Sequence, residues 1–129
     1  MKYFSKEWSK EFCKALNNNE KYNKAAETWE GDFVFICNKE SGEKIYLYAD
    51  LWHGNCRNVE MVDENKDAEF KIEGDYDVYV QVAKKEVDPI RALMEGSLNL
   101  DGDMSKIMRS TKAALELVNT ITLVEGVEF

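Results

Sequence analysis

The sequence predicts a two-layer α+β domain, a five-stranded, mostly antiparallel sheet covered by helices. Three observations carry this. Apolar residues alternate with period two in short segments between residues 31 and 73, separated by turn residues. Segments with helical periodicity lie before and after that block. Between residues 88 and 104 the chain carries start and stop signals for a helix, a short strand and a further helix.

Residues 5–17 read as an amphipathic helix. Phe4, Trp8, Phe12 and Leu16 recur every four residues, and Ser5 is placed to cap the N-terminus. Lys6, Lys10 and Lys14 recur at the same spacing, offset by two, which puts them on the opposite face. Asn17-Asn18-Asn19 stops the helix, and a short second helix follows around residues 20–28.

The strands come next. Residues 31–38 form a strand covered on both faces, and Ser41-Gly42 turns the chain. Residues 44–52 set Ile45, Leu47, Ala49 and Leu51 against Tyr46, Tyr48, Asp50 and Trp52. Gly54-Asn55 leads into a strand at 56–62, and residues 67–73 make a fourth, with Ala68, Phe70 and Ile72 on one face. Consecutive strands joined by short turns form an antiparallel meander.

Residues 75–85 predict a helix with Tyr76, Tyr79, Val80 and Ala83 on one face. Asp88-Pro89 starts the next helix with an N-cap and a proline at the first helical position, and Gly96 ends it. Leu98 and Leu100 alternate in a short fifth strand ending at Asp101-Gly102. Asp103 then caps a closing helix whose apolar residues are Met104, Ile107, Met108, Thr111, Ala114, Leu115, Val118 and Ile121.

The 129 residues fit a single domain, 1–129, with no linker-like stretch and only one proline. The net charge of −8 argues against nucleic acid as a partner, since phosphate binding needs a basic surface. The charge is uneven: residues 1–24 carry net +3 and residues 25–129 net −11. The lysine face of the first helix is therefore either a solvated surface or a patch for transient contact with an anionic membrane through Lys6, Lys10 and Lys14. No apolar run has the length of a membrane span, and the first residues lack the apolar core of a signal peptide. Three irregularly spaced cysteines, Cys13, Cys37 and Cys56, predict reduced thiols and a cytoplasmic setting.

A resemblance enters on three stretches taken in order. The first pairs Asp32-Phe33-Val34-Phe35 with the strand from Tyr46 through Asp50-Leu51-Trp52-His53-Gly54. The second is Asp88-Pro89-Ile90-Arg91-Ala92-Leu93-Met94, and the third is Gly96-Ser97-Leu98-Asn99-Leu100-Asp101-Gly102-Asp103-Met104. In this order they resemble the sterol carrier protein 2 family, over roughly residues 5–118. The resemblance implies a five-stranded sheet with helices on one side, around an apolar tunnel for acyl chains, acyl-CoA, sterols or isoprenoids. It implies a lipid-binding protein that is not an enzyme and needs no cofactor. Unlike the eukaryotic members, this chain has no peroxisomal signal at Gly126-Val127-Glu128-Phe129.

On that reading the sheet supplies a floor through Phe33, Phe35, Leu47 and Phe70. Met94, Leu98, Met104, Ile107, Met108 and Thr111 supply the opposite side. The methionines suit a wall that adapts to different chains, although methionines at helical spacing are equally ordinary core. Which face of the sheet meets the ligand stays open.

Two other classes compete. A small thioesterase-like hydrolase could use His53, the only histidine, with Asp50 or Cys56. His53-x-x-Cys56 could also supply half of a zinc site, but no second histidine or paired cysteine motif completes it, and no metal is expected. A polar turn is the simpler reading of His53. The sequence has no glycine-rich phosphate loop and no nucleophile-elbow motif. The other alternative is an interaction module whose apolar groove receives a partner's helix or a second copy.

Overall fold

The computed structural model describes residues 1–129. Helix α1 (Lys6–Asn18) begins where expected: the Trp8 amide donates to Ser5 Oγ at 3.1 Å. Trp8, Phe12 and Leu16 are buried while Lys6, Lys10 and Lys14 stay in solvent, so the two four-residue repeats occupy opposite faces. Phe4 precedes the helix with a left-handed φ of +64°, and its buried ring lies over Trp8. Asn19 ends α1 and caps α2 (Glu20–Ala25), accepting from the Lys21 amide through Oδ1.

The five strands are β1 (Glu30–Asn38), β2 (Lys44–Trp52), β3 (Asn55–Val62), β4 (Phe70–Asp75) and β5 (Leu98–Asp101). They lie in the order β3-β2-β1-β4-β5. β1, β2 and β3 form the expected meander, and β5 runs antiparallel to β4. β4 is parallel to β1, because the connection after β3 carries the chain across two strands before pairing resumes. Parallel neighbours require such a crossover. The fourth strand also begins later than expected, at Phe70, where the Glu69 amide donates to Asp32 Oδ1 at 2.7 Å.

Register decides which side chains share a face. Phe33 sits opposite Ala49 and Phe70, Phe35 opposite Leu47 and Ile72, and Ile72 opposite Leu100. Directly opposed residues point to the same side of a sheet. These residues, with Leu51 and Leu98, face the helices. Asp32, Tyr46, Tyr48, Asp50 and Trp52 line the other face. Register thereby fixes which face the helices cover.

α3 (Tyr76–Ala83) follows β4, and α4 (Pro89–Glu95) follows the Asp88-Pro89 signal. Asp88 Oδ1 accepts from the Ile90 and Arg91 amides, and Gly96 closes α4 with φ of +82°. The expected closing helix is instead two, α5 (Met104–Met108) and α6 (Thr111–Ile121). Ser110 leaves helical geometry, and Thr111 Oγ1 donates to the Met108 carbonyl at 2.7 Å. A threonine hydroxyl that takes a backbone carbonyl competes with helix continuation. The end of the chain then returns to its start, where the Tyr3 amide donates to the Glu128 carbonyl and the Phe129 ring meets that of Tyr3.

One expectation is corrected outright. Cys13 of α1 and Cys56 of β3 are disulfide-bonded, and only Cys37 is free. The spacing of cysteines in sequence says nothing of which strand a helix lies against, and that packing brings these two together. The argument from reduced thiols to a cytoplasmic setting falls with it.

Candidate ligand-binding cavity

Between the helix-facing side of the sheet and the helices lies a cavity of 130 Å³. Its floor is Phe33 and Phe35 of β1, Leu47 of β2, Ile72 of β4 and Leu98 of β5. Phe33 and Phe35, two residues apart on one strand, stack with ring centres 5.3 Å apart. One wall is aromatic: Tyr3, Phe4, Trp8 and Phe12. The four-residue spacing of α1 brings Trp8 and Phe12 into a near-parallel stack at 5.0 Å and 7°. The remaining wall comes from Tyr79 and Val82 of α3, Pro89, Ile90 and Leu93 of α4, Ile107 of α5, and Ala114, Leu117, Val118 and Ile121 of α6.

No charged side chain lines this space. Its two hydroxyl groups are engaged elsewhere: Tyr3 donates to the Tyr79 carbonyl at 3.1 Å, and Tyr79 donates to the Ile72 carbonyl at 2.6 Å. Burial, their largest influence, holds both phenols well above the usual tyrosine range. The Trp8 indole nitrogen, in contrast, is buried with no partner. A cavity of ~150 Å³ lined by Leu, Ile and Phe stays dry and accepts a benzene-sized guest. The present one has similar size and chemistry. It admits an apolar group and offers a charged one nothing.

Of the ten residues singled out from sequence, Phe33, Phe35, Leu47, Leu98 and Ile107 line the cavity. Phe70 is fully buried behind Phe33, with ring centres 5.2 Å apart, and does not reach it. Met94 is 68% exposed and Met108 is 39% exposed. Met104 and Thr111 are half-buried outside the wall. The methionine cluster is therefore not assembled. Ile90 and Leu93 take the inward positions of α4, and Met94 lies about 100° round the helix from Leu93. Along α5 and α6, Ile107, Ala114, Val118 and Ile121 of the expected stripe line the cavity, whereas Met104, Met108, Thr111 and Leu115 do not; Leu117, outside that stripe, faces inward. The α1 aromatics were legible as an apolar repeat but not as cavity wall, because nothing in sequence says where α1 docks. Tyr79, Val82 and Leu117 escape the reading because periodicity does not place α3 and α6 over the sheet, and Ile72 because the parallel pairing that sets it beside Phe35 is not written in local sequence.

His53 occupies a tight turn with φ of +50°, and its Nε2 lies 2.5 Å from Glu30 Oε2, in solvent. Asp50 pairs with Arg57 through two bonds of 3.1 Å, and Cys56 is in the disulfide. Neither supposed partner serves His53, so the hydrolase constellation is not formed. No three His, Cys, Asp or Glu side chains converge as metal ligands. No helix is long and apolar enough to cross a membrane.

Residues 10–114 match the SCP-2 sterol transfer family. The chain is similar to a crystal structure of sterol carrier protein 2, with 33% identity over 94% of this chain and 98% of that one and a TM-score of 0.87. It is equally similar in sequence, 33%, to a conserved hypothetical protein of Thermus thermophilus described as possibly a sterol carrier protein. That likeness covers 92% of this chain and 87% of the other, with a TM-score of 0.85. Sterol carrier protein 2 from Yarrowia lipolytica shares the fold at 16% identity, covering 87% of each chain with a TM-score of 0.63. No curated protein sequence matches the chain.

Proposed function

The chain belongs to the SCP-2 sterol transfer family, and from that premise we propose that it is a non-enzymatic carrier of an apolar lipid. An acyl or isoprenoid chain would lie between sheet and helices. The observation that carries this reading is the cavity, whose floor and walls are apolar and aromatic and hold no charge. Each methylene moved from water into such a site contributes about 0.8 kcal/mol. A sixteen-carbon chain gains on the order of 12 kcal/mol before ordering and association costs, which leaves room for micromolar binding at about 8 kcal/mol.

A cavity of 130 Å³ holds only part of such a chain, so binding a whole one requires a wall to move. The wall best suited to this is the one built of α4, α5 and α6. These helices have 7, 5 and 11 residues, with a break between the last two. Short helices get most of their stability from tertiary packing, so they shift at modest cost. The exposed Lys6, Lys10 and Lys14 face of α1 suits transient contact with an anionic membrane, from which such a ligand would come.

Titration with fluorescent acyl chains of C12 to C18 tests the proposal. Saturable binding of one chain per protein at micromolar concentration is expected. Absence of saturable binding by every such chain and by an isoprenoid probe would refute it.

A further inference from the structure

A second cavity, of 40 Å³, lies against the first, and no charged side chain lines it. Phe33, Ile107, Ala114 and Leu117 border both spaces, so these four side chains form the partition between them. They differ in freedom. Phe33 is buried and stacks with both Trp29 and Phe35, at ring-centre distances of 5.7 Å and 5.3 Å. Ile107 is buried and branched at Cβ, which makes its χ1 stiff. Ala114 has no side-chain torsion that moves a heavy atom. Leu117 is half-buried, unbranched at Cβ and free to turn about χ1 and χ2. It is the member of the partition that moves at least cost.

Building on the carrier reading above, we propose that Leu117 sets the chain length this protein selects. A cavity the size of the first takes a guest of about six carbons. A short chain therefore occupies the first cavity alone. A long chain turns Leu117 aside and runs on into the second. Each further methylene that leaves water tightens binding about fourfold. A few methylenes in the second cavity outweigh the displacement of one side chain from its preferred rotamer. A chain that ends at the partition gains nothing from the second cavity. Selection is then by length of the apolar chain, read at one residue of α6.

The three tryptophans report the two spaces separately. Trp8 lines only the first, Trp29 only the second, and Trp52 lies on the opposite face of the sheet. The experiment compares methyl octanoate with methyl palmitate, each delivered from cyclodextrin to saturation. Isotope-filtered NOEs from the unlabelled ester to the indole rings of ¹³C-labelled wild-type protein locate the chain. Methyl octanoate should touch Trp8 and not Trp29, methyl palmitate should touch both, and neither should touch Trp52. Affinities come from displacement of a fluorescent acyl probe. Leu117→Ala should raise the preference for palmitate over octanoate about three- to tenfold, the cost of holding one side chain off its preferred rotamer. Leu117→Met keeps the volume on a more flexible side chain and should move the preference the same way. It decides the matter if the alanine variant does not fold. Palmitate that binds without reaching Trp29, or octanoate that reaches it, overturns the inference and leaves the carrier reading standing. Unchanged preference in both folded variants overturns the assignment to Leu117. Saturable binding by neither ester overturns the carrier reading and this inference together.

Discussion

Cys13 in α1 and Cys56 in β3, 43 residues apart in sequence, are joined with their Cα atoms 5.4 Å apart. The bond fastens to the sheet edge the helix that carries Trp8 and Phe12 into the cavity. Two side-chain bonds reinforce the junction: the Cys56 amide donates to Asn17 Oδ1 at 2.7 Å, and Asn17 Nδ2 donates to the Cys56 carbonyl at 3.0 Å. A loop of this length restricts the unfolded chain enough to contribute about 2–4 kcal/mol. Reduction, or Cys13→Ser with Cys56→Ser, should therefore lower unfolding free energy by about that amount. Urea denaturation with and without reductant measures it. Coincident curves would mean the bond does not form in solution.

The second expectation separates the wall from its surroundings. Leu117 lines the cavity and Met108 does not. Leu117→Trp should fill the space and weaken acyl-probe binding at least about tenfold, equivalent to ~1.4 kcal/mol. Met108→Trp adds the same ring at a 39% exposed position and should change affinity by less than about twofold, as is usual for surface substitutions. Probe titration of both variants checks the pair. The reverse order would place the site around Met108 instead of this wall.

That contrast marks where sequence legibility ended. The strand segments, the Ser5 and Asp88 caps and the Gly96 stop follow from local chemistry; the caps and the stop lie at the expected residues, and only the start of β4 is displaced, from residue 67 to Phe70. Phe33, Phe35 and Leu47 line the cavity together because they alternate on strands, where one register decides a whole face. Of the helical residues expected there, Ile107 lines the cavity, whereas Met94, Met104, Met108 and Thr111 do not, because an apolar stripe is broader than the part of it that meets the cavity. The parallel pairing of β4, the docking of α1 and the Cys13–Cys56 bond depend on long-range packing, which periodicity does not encode.

The third expectation concerns alkaline pH. Burial, the largest influence, pushes the Cys37 thiol from an ordinary value near 9.0 up to about 11. The unfolded chain therefore releases this proton before the folded chain does. Stability from this group is complete below about pH 9 and falls as pH rises toward 11. Tyr3, Tyr22 and Tyr79, also raised by burial, add losses of the same sign above pH 10. Urea midpoints should fall steadily above pH 9, and Cys37→Ala should flatten the first part of that fall. A flat profile from pH 8 to 10.5 would contradict the burial of the thiol.

The fourth concerns His53, which lies in solvent against Glu30 and lines no part of the cavity. His53→Ala should leave acyl-probe affinity within about twofold of the parent, the range expected of a surface change. Acyl-CoA should also remain unhydrolysed by either protein, as thiol release would report. Turnover that disappears in His53→Ala would establish an enzyme and displace the carrier reading.

The central claim is that a lipid chain lies between the sheet and the helices, and a photoreactive acyl chain tests it most directly. A diazirine-bearing C16 ester, irradiated in complex with the protein and mapped by peptide mass spectrometry, reports the residues that touch the chain. Labelling should fall on Phe12, Phe35, Leu47, Leu117 and Ile121, all in the cavity wall, and excess unlabelled ester should suppress it. Suppressible labelling confined to Tyr46, Tyr48 and Trp52 on the opposite face of the sheet would contradict the claim.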